Sequence, residues 1–376
     1  MTSKAFGLAQ LGNAYADGAL SNRSKIINGA MTIDQRNAGA SVTANDGVFS
    51  VDRWVCIATA NGKFSMQQNA ASVTPPAGFK NYLGCTSTAA TALGATDFYH
   101  VRHKIEGFNA DDLSWGTSDA KAATLSFWVR SSLTGVFGGS INNSAFSRSY
   151  PFSFTISSAN TWEYKTVAIA GDTSGTWLTA SNTGIQISFS LGSGSTYSGT
   201  AGSWSGSVFT SATGAVSVVG TSGATFYITG VQLEAGDTAT PFEHRSYGAE
   251  LALCQRYFYT TFTTKSPQNG TSLGTADMFY SPAWRHSSAS GLVGSTFSFP
   301  APMRATPSVI FYNDTSTSSS PGNWGFYDGS IWANATSMGT LTVNNYQIAP
   351  SLDMGFSSDF NHNYLMRGGF SASAEL

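Results

Sequence analysis

The chain has 376 residues, enough for about two or three domains of ordinary size. Only 11% of the residues are charged, the net charge is −2, and Lys and Arg form no cluster. This composition excludes a nucleic-acid partner, because phosphate-binding surfaces need clustered cations. No apolar run approaches the ~20 residues of a membrane span, and the N-terminal sequence lacks the charged start and apolar core of a signal peptide. We therefore expect that the protein is synthesised in the cytoplasm and does not insert into a membrane.

The N-terminal segment differs from the sequence that follows it. Its first residues are rich in Ala, Leu, Gly and Asn and show no periodicity until KIINGAM. Because so few apolar side chains cannot offset the backbone entropy of ordering, such a segment rarely folds alone. We predict an N-terminal arm over residues 1–40 that docks on another structure.

The next part of the chain repeats short runs of alternating apolar and polar residues between clusters of Gly, Ser, Thr and Asn. The clearest run is GIQISFSLG, residues 184–192, in which the two classes alternate at every position. In ATLSFWVRS the parity places Leu125, Phe127 and Val129 on one face. This spacing predicts an all-β sandwich over residues 41–245.

The pattern changes after this sandwich. TFYITGVQLEAG is typical of a last strand, and Pro241 forces an extended exit from it. Leu251, Cys254 and Phe258 then recur at three and four residues within a run that favours helix. We predict a short linking helix before a second module, residues 246–376.

Charged residues are dense at this junction for a chain with so few of them. We predict that they pair across an inter-module joint and hold modules or subunits together; the residues are Glu243, Arg245, Glu250 and Arg256.

The C-terminal part begins with YFYTTF and carries further strand-like runs up to ASAEL. Pro300, Pro302 and Pro307 cannot donate to a sheet ladder, so their segment is expected at a sheet edge or crossover before SVIFY pairs. The predicted fold class is therefore all-β, with an arm, a β-sandwich, a linking helix and a second C-terminal β-sandwich module.

The three cysteines, Cys56, Cys85 and Cys254, are odd in number and irregular in spacing. This pattern is neither a disulfide framework nor a zinc site. We predict buried free thiols, since an unpaired Cys usually behaves as a small hydrophobe.

No catalytic motif of the hydrolase, metalloprotease or phosphate-loop kind is present, so we expect no enzyme activity. His100 and His103 fall on opposite faces of a strand, which favours structural roles over a zinc site. Asp111, Asp112 and Asp119 are compatible with a solvated turn, a calcium site or a glycosidase acid pair. No cofactor is predicted, and calcium is the one metal with a candidate cluster.

Aromatic side chains among polar residues give the main functional signal, because flat rings stack on sugars while amides and carboxylates bind the hydroxyls. We predict a glycan-contact surface in the C-terminal module; its residues are Trp324, Tyr327, Asp328, Trp332, Trp284 and His286. In this prediction Trp324 and Tyr327 face outward. The Asp-Gly pair after Tyr327 also indicates a hairpin, which would place some of these rings in a core. A second candidate surface lies in polar loops of the first module; its residues are Trp177, Tyr197 and Trp204.

Three motifs in combination resemble the jelly-roll modules of carbohydrate-binding type in bacteriophage tail proteins. They are VDRW at 51–54, LSFWVR at 125–130 and VQLEAG at 231–236. FSFPAPMRATPSVIFYN, residues 297–313, resembles the segment that opens the C-terminal strands of many phage tail proteins.

This resemblance implies a tail fibre or receptor-binding protein of the virion, synthesised in the host cytoplasm and active outside the cell. It implies a homotrimer whose N-terminal arm joins a tail or baseplate protein. The C-terminal module would bind bacterial surface polysaccharide or lipopolysaccharide. Two alternatives stay open, a purely structural tail or baseplate protein and a tail-borne polysaccharide depolymerase.

Overall fold

The computed structural model describes residues 22–262, 279–285, 291–313, 322–327, 332–354 and 364–376. The chain divides into two compact units. The first comprises Met1–Thr32, Ser41–Ser246 and Leu376, and the second comprises Ile33–Ala40 and Tyr247–Glu375. Residues 1–21 of the predicted arm lie outside the described residues.

The first unit contains thirteen strands: β1 (Val42–Thr43), β2 (Trp54–Ala58), β3 (Phe64–Gln68), β4 (Leu83–Ser87), β5 (Phe98–Glu106), β6 (Ala123–Ser131), β7 (Gly135–Asn143), β8 (Ser149–Ile156), β9 (Glu163–Ile169), β10 (Thr183–Ser193), β11 (Ser198–Gly199), β12 (Ser211–Ala212) and β13 (Thr225–Ala235). One sheet has the order β1-β3-β4-β13-β6-β9 and the other the order β2-β5-β10-β7-β8, all antiparallel. β11 and β12 form a small parallel pair.

The core of this unit lies between the two larger sheets. Leu125, Phe127 and Val129 of β6 are fully buried, as their parity predicts. The ring of Phe127 packs edge-on against Phe189 of β10, with 5.0 Å between the ring centroids. Because the apolar faces of both sheets join one cluster, the first unit is a β-sandwich, and the predicted all-β fold class is confirmed.

The polar face of β10 is also buried, which its alternating sequence does not predict. Gln186, Ser188 and Ser190 are all buried. Arg102 of β5 donates a hydrogen bond from Nε to Ser188 Oγ at 2.8 Å, which satisfies both groups away from water. Alternation therefore predicts the strand correctly but not what covers its second face.

Residues 22–32, which fall within the predicted arm, pack inside the first unit. Lys25 N donates to the Leu233 carbonyl at 2.8 Å, and Val231 N donates to the Gly29 carbonyl at 3.0 Å. A side chain at Gly29 would overlap the Val231 carbonyl, so this backbone approach requires glycine. The segment lies along β13 and buries Ile26 in the sandwich core.

Two of the predicted joint residues hold this same segment. The Glu243 carboxylate accepts hydrogen bonds from the backbone N–H of Asn22 at 2.5 Å and of Ser24 at 2.8 Å. Arg245 donates to the Ser24 carbonyl at 2.6 Å and to that of Ile26 at 3.0 Å. All of these partners belong to the first unit. Pairing across a joint stays a prediction for Glu250 and Arg256.

The described residues of the second unit form one helix and ten strands: α1 (Tyr247–Gln255), β14 (Phe258–Thr260), β15 (Phe279–Arg285), β16 (Gly291–Gly294), β17 (Phe297–Ser298), β18 (Ser308–Tyr312), β19 (Gly325–Tyr327), β20 (Trp332–Asn334), β21 (Ser337–Val343), β22 (Gln347–Asp353) and β23 (Tyr364–Ser373). The helix agrees with the predicted linking helix. The strands form a ten-stranded sheet in which β23 pairs with β15 and β19 in its first half and with β14 and β18 in its second half.

Residues 33–40 of the predicted arm belong to this second unit. Arg36 pairs with Glu375 at 2.6 Å, and its guanidinium carbon lies 3.6 Å from the ring centroid of Phe258. Gln35 donates a hydrogen bond to the Phe258 carbonyl at 2.9 Å. The described part of the predicted arm is thus divided between the two units.

The predicted buried thiols are confirmed, since all three cysteines are buried and none forms a disulfide with another described residue. Burial raises the pKa of the Cys56 thiol to about 12. At neutral pH that thiol stays protonated, so it is an unreactive core group. Among the described residues, no helix has the length and hydropathy needed to cross a membrane.

Candidate functional site

A cavity of about 280 Å³ opens between two loops of the first unit. One loop follows β5 and carries two short 3-10 turns, Gly107–Asn109 and Asp111–Leu113. The other leads into β10. The residues that line the cavity are Ala110, Asp111, Ser114, Trp115, Thr117, Asp119, Trp177, Leu178, Thr179, Gly184 and Ile185.

Backbone hydrogen bonds tie the two loops together. Gly107 N donates to the Asn182 carbonyl at 2.9 Å, and Phe108 N donates to the Ala180 carbonyl at 3.1 Å. A side chain at Gly107 would overlap the Leu178 carbonyl, so only glycine permits this approach. Leu113, which is fully buried, anchors the first loop in the sandwich core. The cavity walls are therefore fixed by the scaffold.

Three tryptophans pack against one another at this site. Trp115 and Trp177 line the cavity, with ring centroids 4.8 Å apart and planes inclined at 71°. Trp204 lies 5.3 Å from Trp115 and 5.4 Å from Trp177. Such edge-to-face packing is the geometry that the quadrupoles of aromatic rings favour.

The indole N–H of each ring already has a protein acceptor. Trp115 donates to the Lys121 carbonyl at 2.8 Å, and Trp204 donates to the Ala170 carbonyl at 2.7 Å. Trp177 donates to the Ser174 carbonyl and to Asp172 Oδ2, both at 3.3 Å. Because these bonds fix the rings in place, a ligand that contacts them would not have to order them first.

A partly buried ion pair supports Trp177 through Asp172. Arg148 binds the Asp172 carboxylate with two hydrogen bonds, Nε to Oδ2 at 2.8 Å and Nη2 to Oδ1 at 2.7 Å. Asp172 is almost fully buried, and its hydrogen bonds raise the pKa of Arg148. The carboxylate that orients Trp177 is itself held by a bidentate partner.

Polar groups occupy the rim of the cavity. Asp111 and Asp119 are exposed lining residues, and Ser114 and Thr117 add hydroxyl groups. Asp112 belongs to a different arrangement, since it pairs with Lys25 at 2.5 Å. The acidic cluster noted in the sequence is therefore divided, with two of its members at the cavity and one in an ion pair.

A calcium site at this cluster finds no support in the geometry. Within the described ranges, no group of three or more His, Cys, Asp or Glu side chains could hold a metal ion. The arrangement can instead place an apolar ring system under a ligand while carboxylate and hydroxyl oxygens contact its polar edges.

The predicted outward position of Trp324 in the C-terminal module is wrong. The side chain is 0% exposed, and its indole N–H donates to the Gly369 carbonyl at 2.9 Å. Trp324 packs over Gly368, where any side chain would overlap the indole ring. Glycine in β23 thus creates the space that this tryptophan fills, and the ring is a core residue of the second unit.

Three other predicted residues of that surface do share one face of the sheet. Trp332 is 36% exposed and lies 5.5 Å from Tyr327, while the Arg367 guanidinium stacks on Trp332 at 4.4 Å. Tyr280, which was not predicted, lies 6.0 Å from Trp332. Trp284 follows on β15 with the same parity as Tyr280 and is 54% exposed.

This set of side chains is called the aromatic face below; it comprises Tyr280, Trp284, Tyr327, Trp332 and Arg367. Two predicted members of the surface, Asp328 and His286, lie outside the described residues. A glycan role for the aromatic face stays a prediction.

The two histidines of β5 are core residues of the first unit. His103 packs edge-on against Trp54 at 5.1 Å, and its Nε2 lies 3.0 Å from the Ile27 carbonyl. His100 Nε2 lies 2.8 Å from Ser193 Oγ. Burial holds the pKa of both rings well below the usual value. Their places on opposite faces of the strand agree with the sequence prediction of structural roles.

Sequence reasoning selected Trp177 and Trp204 but missed Trp115 and the cavity itself. A tryptophan among small polar residues occurs both in DDLSWGTSD and in SGTWLTASN. This shared local composition is the sequence feature that could have identified Trp115 together with Trp177. It does not reveal that the two loops meet, because their contact is made by backbone groups far apart in sequence.

No family model and no curated protein matches this chain. Among solved structures, the enzymatically active domain of bacteriophage CBA120 tailspike protein 4 is 10% identical, with 58% of this chain and 22% of that chain covered and a TM-score of 0.31. A family 11 carbohydrate-binding module from Clostridium thermocellum, in complex with a β-1,3-1,4-mixed-linked tetrasaccharide, is 13% identical, with 54% and 98% covered and a TM-score of 0.28.

A family 4 carbohydrate-binding module is 15% identical, with 56% of this chain and 98% of that chain covered and a TM-score of 0.27. The chain spans about a fifth of the tailspike domain, since 22% of that chain is covered. The similarities are thus to carbohydrate-binding modules and to a phage tailspike domain, at low TM-score and without a sequence family.

Proposed function

We propose that this protein binds a glycan in the cavity lined by Trp115 and Trp177, and that it does so as a phage tail fibre that contacts bacterial surface polysaccharide or lipopolysaccharide. The observation that carries the binding proposal is the pair of tryptophans, fixed by their own indole hydrogen bonds in a cavity with oxygen acceptors at its rim.

The chemistry of the cavity suits a sugar better than it suits a purely apolar ligand. A sugar ring has apolar C–H groups on its faces and hydroxyl groups around its edge. The half-buried ring of Trp177 supplies apolar surface and the ring of Trp115, which is 6% exposed, packs against it, while Asp111, Asp119 and Thr117 supply acceptors. Ligand sites usually combine an apolar lining with a few placed polar groups, and this cavity has both.

The place on a virion is supported by the sequence motifs at 51–54, 125–130, 231–236 and 297–313 that resemble phage tail proteins. In this proposal the protein is a homotrimer, and residues preceding the sandwich join it to a tail or baseplate protein. It acts outside the cell after synthesis in the host cytoplasm. The proposed activity is adsorption, without catalysis.

The aromatic face of the second unit is the second candidate glycan contact. Trp332 and Tyr280 expose ring surface on one side of a sheet, and the Arg367 guanidinium fixes Trp332 by stacking on it. An open face of this kind offers contact area without the enclosure of a cavity. We therefore assign it a weaker, accessory contact.

The test is binding of the full chain to a printed panel of bacterial lipopolysaccharides and capsular polysaccharides. Trp177→Ala should weaken binding to every polysaccharide recognised by the unchanged chain by about tenfold or more, as expected for loss of a central aromatic contact. Tyr164→Ala is the matched control, because Tyr164 is an exposed aromatic residue of the same unit outside the cavity lining. It should bind as the unchanged chain does.

Three results would speak against the proposal. Equal binding by correctly folded Trp177→Ala would remove the cavity from the function. Release of reducing sugar from a bound polysaccharide would favour the depolymerase alternative. No binding to any polysaccharide, together with a position inside the tail or baseplate on the virion, would favour a purely structural protein.

A further inference from the structure

The charge at the cavity has one sign. Asp111 and Asp119 are the charged members of the cavity lining. Neither forms an ion pair with any of the residues that the structure describes. Both side chains are exposed, so they lie at the solvent-facing mouth of the cavity that the two tryptophans also line.

The nearby charged groups do not offset these two carboxylates. Lys25 is bound to Asp112 at 2.5 Å, and Arg148 is bound to the buried Asp172 at 2.7 Å. Lys121 is exposed, and its side chain is not part of the cavity lining. The net charge at the mouth of the cavity is therefore negative.

A negatively charged mouth on a cavity lined by indole rings favours a cationic ligand for two separate reasons. The face of a tryptophan ring attracts an ammonium group through its quadrupole, and a carboxylate attracts the same group by its charge. A uronic acid or a sugar phosphate would meet repulsion from Asp111 and Asp119. A neutral sugar would use only stacking and hydrogen bonds.

Resting on the proposed glycan function, we propose that the cavity recognises an amino sugar whose amine is free and protonated. The ammonium group lies between the indole rings and the carboxylates of Asp111 and Asp119. Glycans with acetylated amines or with carboxylate groups are bound less tightly.

The probes are three tetrasaccharides with the same β-1,4-linked gluco backbone and different groups at carbon 2. They are fully deacetylated chitotetraose, its N-acetylated form and cellotetraose. Titration calorimetry of the full chain at about pH 6 gives the three affinities. Deacetylated chitotetraose should bind about tenfold more tightly than either neutral probe.

Charge variants separate the cavity from general attraction of a cation. The double variant Asp111→Asn/Asp119→Asn should remove the preference for deacetylated chitotetraose over the two neutral probes, because Asn carries no negative charge. Asp237→Asn removes an exposed carboxylate outside the lining and should retain the preference. In the unchanged chain, raising the salt concentration from about 0.05 M to 0.5 M should lower the ratio between the affinity for deacetylated chitotetraose and the affinity for the neutral probes.

The inference is overturned if a neutral probe binds as tightly as deacetylated chitotetraose, if the preference survives in the Asn double variant, or if none of the three probes binds. The polysaccharide panel is scored separately. Loss of binding to the panel in Trp177→Ala would uphold glycan binding even where the amino-sugar assignment fails.

Discussion

The two units use tryptophan in different ways. In the first unit, Trp115 and Trp177 lie in a cavity, and backbone carbonyl groups accept their indole hydrogen bonds. In the second unit, Trp332 lies on an open sheet face with Arg367 stacked on it. A cavity fixes the orientation of a ligand, whereas an open face adds contact area. This contrast leads us to expect specificity from the first unit and accessory contact from the second.

The largest expected effect comes from removing the support of Trp177. Arg148→Ala leaves the carboxylate of Asp172 buried without its bidentate partner. Removing the partner of a buried carboxylate in this way should lower the free energy of unfolding of the first unit by about 3 kcal/mol. The effect is measured by chemical denaturation of the full chain, with hydrogen exchange on peptides of each unit as the readout.

The matched control for this variant is Lys25→Ala, because Asp112 is half exposed and water can solvate it after the change. Lys25→Ala should lower the free energy of unfolding by less than about 1 kcal/mol. Similar costs for the two variants would show that Asp172 is not a buried, oriented group.

In the second unit, the corresponding weak point is Gly368. A side chain there would overlap the ring of Trp324, so Gly368→Ala should lower the free energy of unfolding by about 2–3 kcal/mol. The glycan affinity of the first-unit cavity should not change. Gly339→Ala is the control, because the nearest atom to an added Cβ there is Ser351 Oγ at an ordinary contact distance of 3.4 Å. An unaffected Gly368→Ala variant would place Trp324 elsewhere than in the core.

The first unit should also be the more sensitive to acid. Burial, with a smaller effect from Arg102, holds the pKa of His100 well below its usual range, and burial with Arg53 does the same for His103. In the unfolded chain both rings titrate near the ordinary value of about 6.5. Below that pH the unfolded state binds protons that the folded state does not, so stability falls as the pH falls.

Between pH 7 and 5.5 this linkage should cost the first unit about 2 kcal/mol. Thermal unfolding across that pH range measures it. His100→Gln should make the pH dependence of the stability shallower. An unchanged slope in this variant would mean that His100 titrates normally in the folded protein.

The smallest expected effect concerns the aromatic face. Trp332→Ala should weaken binding of the full chain to a long polysaccharide by about threefold and leave binding of a tetrasaccharide unchanged, because only a long chain can use an accessory contact. Tyr247→Ala removes a more exposed aromatic side chain from α1 and should change neither. If Trp332→Ala lost more polysaccharide affinity than Trp177→Ala, the aromatic face would be the main contact and the cavity the accessory one.

Much of the secondary structure follows from local pattern. GIQISFSLG and ATLSFWVRS form β10 and β6, and the helical spacing of Leu251 and Cys254 gives α1. β7 was not predicted, because its sequence GVFGGSINN has little alternation and several glycines. Those glycines are needed for packing, since a side chain at Gly139 would overlap the Ser188 carbonyl.

The candidate site was only partly predictable. Trp324 was expected to face outward because it stands among polar residues, but Gly368 makes room for its ring on the core side. The cavity depends on loops near Trp115 and Trp177 that meet through backbone hydrogen bonds. Residue type and spacing indicate the chemistry available to each loop, but they do not indicate which loops come together.

The most direct test is fluorine NMR of the full chain labelled with 5-fluorotryptophan, which gives a signal for each of the nine tryptophans. Signals of Trp115, Trp177 and Trp332 are assigned from single Phe variants. Adding the polysaccharide fragment that binds most tightly in the panel should shift Trp115 and Trp177 first and leave Trp332 unchanged at low occupancy. Shifts at Trp332 with none at Trp115 and Trp177 would contradict glycan binding in the cavity.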